Sequence, residues 1–249
     1  MRARNAAAPA QQPRRIERGT GLPDGRLVST VSANRYPETP MPSRRAFLST
    51  GLVATALAAA GCQMTGPAPE IAPLDYAARR DGPHTIPAIP MDRVSDWLHR
   101  QLVRYTVTEE PPGTIVVNSD NRLLYLVMED GWALRYGIGV GKEDLGWRGE
   151  AEIYRTAHWP RWTPTPNMIR RDPSLERWAE GQPGGPSNPL GARALYLATN
   201  GVDQGYRIHG TPNWRSIGRF DTSGCFRMFQ HDVIDLYGRV GRGTRVVVI

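Results

Sequence analysis

Thr114 to Val140 read TIVVNSDNRLLYLVMEDGWALRYGIGV. Three runs rich in β-branched, aromatic and leucine residues, at 114–118, 122–128 and 132–140, are separated by polar turn residues. Such side chains fit a pleated, half-buried surface, and Asp130-Gly131 between two of the runs is a strong hairpin signal. Gly137, Gly139 and Gly141 alternate. No helical pattern follows them, so they do not form a phosphate-cradling turn. Regular short strands with polar turns predict a mainly β domain, a β-sandwich or barrel-like fold.

Working outward, Ala194–Leu197 reads as a further strand, and Tyr206–His209 alternates as one, with Arg207 and His209 on a shared face. Thr244–Ile249 is almost wholly apolar and is expected at the centre of the sheet. Two helices are expected. In Gln230–Val240, Val233, Leu236, Tyr237 and Val240 share a face, and Asp232 sits in the first turn, where negative charge is favoured. In Met91–Tyr105, Val94, Trp97, Leu98 and Leu102 fall at helical spacing, which predicts one N-terminal amphipathic helix packed on the domain. Trp159–Pro189 is proline-rich and poor in strand formers. A long irregular stretch inside a compact domain is usually functional, so it reads as a lid or substrate-binding wall. Trp159, Trp162 and Trp178 are its candidate anchors, with a short helix near Ser174–Glu180. The plainer alternative is a packed loop that touches no ligand.

Tyr206 to Met228 holds one His and one Cys, His209 and Cys225, each beside a glycine. An imidazole and a thiol are what nucleophilic acyl transfer needs: the ring takes the thiol proton and the thiolate attacks a carbonyl. Gly224 before the Cys lets the backbone turn sharply and aim N–H groups at a developing oxyanion. Taken alone, a single Cys is more often a small buried hydrophobe and a single His a satisfied core or surface group. The order His then Cys also argues against papain-like proteases.

His209-Gly210-Thr211 followed by Ser223-Gly224-Cys225-Phe226-Arg227-Met228 resembles the signature of the L,D-transpeptidase (YkuD) catalytic domain. Asn188-Pro189-Leu190-Gly191 and the Trp-Pro-rich run from Trp159 to Pro166 match further family segments. The resemblance covers residues 111–249. Ser223 stands where many members carry a His, two residues before the Cys. The resemblance implies Cys225 as nucleophile and His209 as base, with the Gly210 carbonyl holding the second ring nitrogen. It implies a peptidoglycan tetrapeptide stem as acyl donor, a thioester at Cys225, and transfer to an amine of a second stem or of an envelope protein. Gly224 and Cys225 N–H groups are the expected oxyanion donors. Arg227 and Ser223 are the expected substrate contacts, Arg227 as a carboxylate clamp or else as a structural ion pair. Two alternatives remain at this point: a carboxypeptidase or cross-link hydrolase on the same scaffold, and a non-catalytic peptidoglycan-binding lipoprotein. No cofactor is implied, and no Cys/His spacing suggests a metal.

The N-terminal part reads differently. Residues 1–40 are rich in Ala, Pro, Gln and Arg without hydrophobic period, and are expected to be disordered or a start-site extension ahead of Met41. Residues 41–62 resemble an export signal. Ser43-Arg44-Arg45-Ala46-Phe47-Leu48 is similar to a twin-arginine motif, and an apolar run too short to span a bilayer follows. Leu57-Ala58-Ala59-Ala60-Gly61-Cys62 is similar to a lipobox, which would make Cys62 a lipidated membrane anchor; the alternative is ordinary cleavage near Ala60. Residues 63–90 are rich in Pro, Ala and Gly and read as a tether. The predicted location is the periplasm or cell envelope, and the predicted state a monomer.

The net charge of +7 invites a nucleic-acid reading, but nine arginines against three acids fall within residues 1–62. Residues 63–249 hold 22 basic and 21 acidic residues, which gives no electrostatic reason to bind a phosphate backbone. With Cys62 acylated, Cys225 is the one remaining thiol in an oxidising compartment, which favours a nucleophile. A Cys62–Cys225 disulfide is the competing reading.

Overall fold

The structure, a computed structural model, describes residues 66–142 and 146–249. The expectations for residues 1–62, including lipidation of Cys62, lie outside the described residues. The strands are β1 (Arg79–Asp81), β2 (His84–Ile86), β3 (Gln101–Arg104), β4 (Ile115–Asn118), β5 (Leu123–Val127), β6 (Trp132–Gly141), β7 (Gly149–His158), β8 (Arg193–Thr199), β9 (Val202–Gly210), β10 (Phe220–Thr222), β11 (Phe226–Met228) and β12 (Arg245–Val248). The helices are α1 (Pro166–Arg171) and α2 (Gln230–Arg239).

The expected β architecture is present, and the sheet closes on itself. Hydrogen bonding runs β6-β11-β9-β8-β7-β12-β4-β5 and returns from β5 to β6. Closure removes the free edges that an open sheet must protect. β12 lies between β4, in parallel, and β7, antiparallel, with Val246 and Val248 buried, so the C-terminal strand is central as its composition predicted. β8 and β9 turn over Asn200-Gly201, both at positive φ, the two-residue hairpin loop that suits right-twisted strands. α2 lays Val233 and Leu236 onto the main core beside Tyr136, Ile138, Leu195 and Ile208.

The helix expected over 91–105 is absent. Residues 91–93 and 96–98 form single 3₁₀ turns, the backbone is extended at Val94 and His99, and β3 follows. β3 pairs antiparallel with Trp132–Arg135 of β6, whose other edge is taken by β5. A helix there would leave that edge of β6 unpaired, and the sheet overrides the local period. Val94 and Leu98 are still buried, against Ile89, Ile217 and Phe229.

The tether reading also needs correction over its described part. The Tyr76 hydroxyl donates to Asp232 (2.6 Å), and Asp81 takes a forked pair from Arg193 (2.7 and 2.8 Å) and the Trp159 indole N–H (2.8 Å). Ile86 and Ile89 are buried. Widely spaced anchors dock a segment whose average composition looks like a linker.

Candidate active site

β9 and β11 run parallel, with Ile208 opposite Phe226, His209 opposite Arg227 and Gly210 opposite Met228. Side chains alternate across a strand. Ile208, Phe226 and Met228 therefore enter the core, fully buried, while His209 and Arg227 share the other face. Cys225 immediately precedes Phe226 and so lies next to Arg207, whose backbone and charge both favour the thiolate. One face thus carries Arg207, His209, Cys225 and Arg227. The alternation seen in the sequence had already placed the first two together.

His209 is buried, and its Nδ1 lies 2.6 Å from the Gly210 carbonyl oxygen. A carbonyl only accepts, so Nδ1 carries the proton and Nε2 keeps its lone pair. Burial pushes the ring down from 6.5 to about 4, and the positive charges of Arg227 and Arg207 push the same way, against the Gly210 and Pro189 carbonyls. The ring is neutral at pH 7.

Gly210 is held from behind. The Gln230 Oε1 accepts the Ala192 N–H (2.9 Å), and a Cβ on Gly210 would fall 2.3 Å from that oxygen. A Cβ on Gly191 would come within 2.7 Å of the Gly210 carbonyl carbon. Asn188, wholly buried, organises the segment that makes this approach. Its Nδ2 donates to the Pro160, Gln182 and Pro183 carbonyls, and its Oδ1 accepts the Leu190 N–H.

The Cys225 thiol is half-buried and points to the Gly205 carbonyl oxygen at 3.7 Å, a long contact of the kind sulfur makes. Burial pushes its pKa up, while the Arg207 N–H and the charges of Arg207 and Arg227 pull it back. Gly224 has φ +113°, a conformation that disfavours any side chain. Its N–H donates to Thr222 Oγ1 (3.1 Å), and that hydroxyl donates to the Cys225 carbonyl (2.7 Å). This corrects the expectation for Gly224. Its N–H is occupied by Thr222, so it shapes the turn, and of the two expected donors only the Cys225 N–H has no such partner among the described residues. Thr222, three residues before the Cys, was missed because a threonine at a strand end has no sequence signal of its own.

Arg227 Nη1 pairs with Asp221 Oδ1 at 3.0 Å. Asp221, four residues before the Cys, is therefore a partner of Arg227. Ser223 accepts a long contact from Arg171 (3.5 Å). Arg171 belongs to α1, which lies within the proline-rich stretch, earlier than the helix expected near 174–180; there Pro173–Trp178 is a 3₁₀ turn. α1 begins at Thr165, whose hydroxyl caps Met168 N, and Pro166 takes the first turn. α1 residues Met168 and Arg171, with Gly205, Tyr206, Ser223 and Cys225, wall a cavity of about 630 Å³. Trp159, expected as a lid anchor, instead bonds Asp81 at the domain flank.

Comparison with known proteins fits this geometry. The profile of the L,D-transpeptidase catalytic domain family, YkuD, matches residues 112–248. A Fuscovulum blasticum protein assigned by name to the L,D-transpeptidases is 41% identical over 107 residues, which is 43% of this chain and 52% of that one. Bacillus subtilis YqjB, assigned likewise, is 31% identical over 136 residues, 54% of this chain and 69% of that one. The chain spans about half the length of the curated relatives it matches. A solved structure from Brucella melitensis, described as a probable carnitine operon oxidoreductase, is 46% identical over 64% of this chain and 99% of that one, with a TM-score of 0.44.

Proposed function

Because the chain belongs to the L,D-transpeptidase catalytic domain family, we propose that it is a cysteine acyltransferase acting on peptidoglycan stem peptides. The observation that carries this reading is the placement of Cys225, His209, Arg207 and Arg227 on one face, with the thiol opening into the cavity under α1.

The thiol turns from the Gly205 carbonyl toward His209, and Nε2 accepts its proton as sulfur attacks the carbonyl of the third stem residue. The Cys225 N–H receives the oxyanion. The C–N bond to the terminal D-alanine breaks, its nitrogen takes the proton from the ring, and a thioester remains. An amine of a second stem or of an envelope protein then attacks the thioester, gives its proton to His209, and releases the thiol. Gly210 holds the ring in the tautomer this requires. Arg227 and Arg207 favour the thiolate through their charge. Arg227 clamps a stem carboxylate by exchanging Asp221 for it, and Ser223 meets substrate where it now meets Arg171. The enzyme works as a monomer in the periplasm or cell envelope, held to the membrane by lipid on Cys62.

Intact-protein mass after mixing with a carbapenem, beside a Cys225→Ala control, tests the site. One drug equivalent on the parent and none on the variant is expected. No adduct on folded, reduced parent protein refutes the nucleophile.

A further inference from the structure

Gly137 and Gly139 serve no nucleotide, yet the fold uses both. A Cβ on Gly137 would lie 2.5 Å from the Leu98 carbonyl oxygen, and one on Gly139 2.5 Å from the Ser216 carbonyl oxygen. The missing side chains let two turns, Asp96–Leu98 and Trp214–Ser216, settle onto β6. Gly218, at φ +82°, completes the fit, since a Cβ there would come 2.8 Å from Leu98 Cδ1. A groove of about 480 Å³ lies between the turns.

The groove has an apolar floor of Val94, Leu98, Ile217 and Phe229. Trp97 belongs to one turn and Trp214 to the other, and Arg93, Arg215 and Arg219 complete the lining. The Arg215 guanidinium lies 4.4 Å from the Trp214 ring. Arg122 lies 5.3 Å from the Trp97 ring. Among the described residues, Arg93, Arg215 and Arg219 have no carboxylate within ion-pairing distance, although most other ion pairs of the fold use arginine. All three are exposed. No residue of this groove lines the Cys225 cavity.

Indole faces stack on flat apolar ring faces, and guanidinium forks take carboxylates in bidentate fashion. A ligand that satisfies both has ring faces and carboxylates together. An acidic peptide would match the arginines and leave the indoles and the floor uncovered. A nucleic acid needs a cationic track longer than one groove, and residues 63–249 are close to charge balance.

We propose that this groove binds an anionic glycan, with saccharide rings on Trp97 and Trp214 and their carboxylates on Arg93, Arg215 and Arg219. The inference rests on the proposed cell-wall function only for the source of that glycan: stretches of the cell-wall sugar strand that have lost their stems, because a lactyl carboxylate is free only where no stem is amide-linked to it. The groove then holds a stem-free stretch of strand while the separate Cys225 cavity works on stems borne elsewhere on the polymer.

Calorimetric titration of the full chain tests it with three probes: peptidoglycan glycan strands stripped of stems by an amidase, which leaves their lactyl carboxylates free; neutral chitin oligomers; and polyglutamate. Stripped strands are expected to bind, and to bind about tenfold weaker or worse to Trp214→Ala and to Arg215→Gln/Arg219→Gln. Chitin oligomers and polyglutamate are expected to bind at least about tenfold more weakly than stripped strands. Acylation of Cys225 by a carbapenem is expected to be unchanged in these variants. Absent strand binding, variants that bind like the parent, or polyglutamate binding as tightly as strands, each overturns the proposal. Strand binding by a protein whose Cys225 does not acylate would leave the groove standing and remove the catalytic reading. Acylation without strand binding would do the reverse.

Discussion

Asp232 is fully buried at the start of α2, and burial raises its carboxyl from 3.8 to about 7. The Tyr76 hydroxyl donates to Oδ1, while Oδ2 has no partner among the described residues. Between the two values the native protein holds a proton that the unfolded chain has released. Asp232 therefore favours the fold at low pH, and this contribution is lost as pH rises through about 7. At about 1.4 kcal/mol per tenfold change in proton affinity, the displacement corresponds to about 4 kcal/mol. Asp232→Asn keeps an oxygen for Tyr76 and cannot ionise. Groups common to both proteins cancel in the difference, so the variant should gain about 4 kcal/mol on the parent between pH 4 and pH 8. Urea unfolding followed by tryptophan fluorescence at half-unit steps measures that difference. A variant-minus-parent curve flat to within about 0.5 kcal/mol across the range would refute a buried, proton-holding Asp232.

His209 carries the opposite sign. Its value is depressed to about 4, so its contribution is complete above 6.5 and about 3 kcal/mol is lost as pH falls through 4, a slope that should vanish in His209→Gln unfolding curves. Carbapenem acylation rates should fall with an acid limb near pH 4 in the parent; in His209→Gln the rate should be at least about a hundredfold lower at pH 7 and climb toward the alkaline thiol range. Asn188→Ala strands the buried Pro160 and Gln182 carbonyls and the Leu190 N–H, and about 4 kcal/mol of stability should disappear in thermal unfolding. Arg171→Ala removes only a long exposed contact with Ser223, so Tm should stay put while KM for a soluble stem peptide rises a few-fold.

The strands were legible where composition and turn chemistry agreed. The runs around Ile115–Asn118, Leu123–Val127 and Trp132–Gly141 fall within about a residue of their predicted places. β7 was not, because Gly149–His158 carries charges on its open face and only Ile153 is fully buried among its ten residues. Period alone misjudged residues 91–105, since Val94 and Leu98 at helical spacing also satisfy two 3₁₀ turns leading into a strand. At the site, Cys225 and His209 stood out as residue types in a motif, and the Gly210 carbonyl came from the family resemblance. The roles of Gln230, Thr222 and Asn188 were not legible, although Asn188 opens a segment matched to the family. Each acts through a hydrogen bond to backbone distant in sequence or hidden in a turn, and such contacts exist only once the sheet has closed.

The electrostatics of the pair limit how the chemistry can start. A preformed thiolate–imidazolium pair needs a ring that holds its proton, yet burial and two nearby guanidiniums drive that proton off His209. The same guanidiniums pull the thiol pKa down against a larger burial effect. Arg207 and Arg227 therefore favour one half of an ion pair and oppose the other. The resting state this selects is thiol and neutral imidazole, and in the proposed reaction charge would appear only when an acyl donor brings its carbonyl to the Cys225 N–H. Asp203 on Arg207 (3.0 Å) and Asp221 on Arg227 (3.0 Å) temper both guanidiniums. A substrate carboxylate that displaces Asp221 from Arg227 exchanges one counter-ion for another and leaves the field at sulfur nearly unchanged. Donor binding would then position the carbonyl without altering the proton affinities on which the transfer to His209 depends.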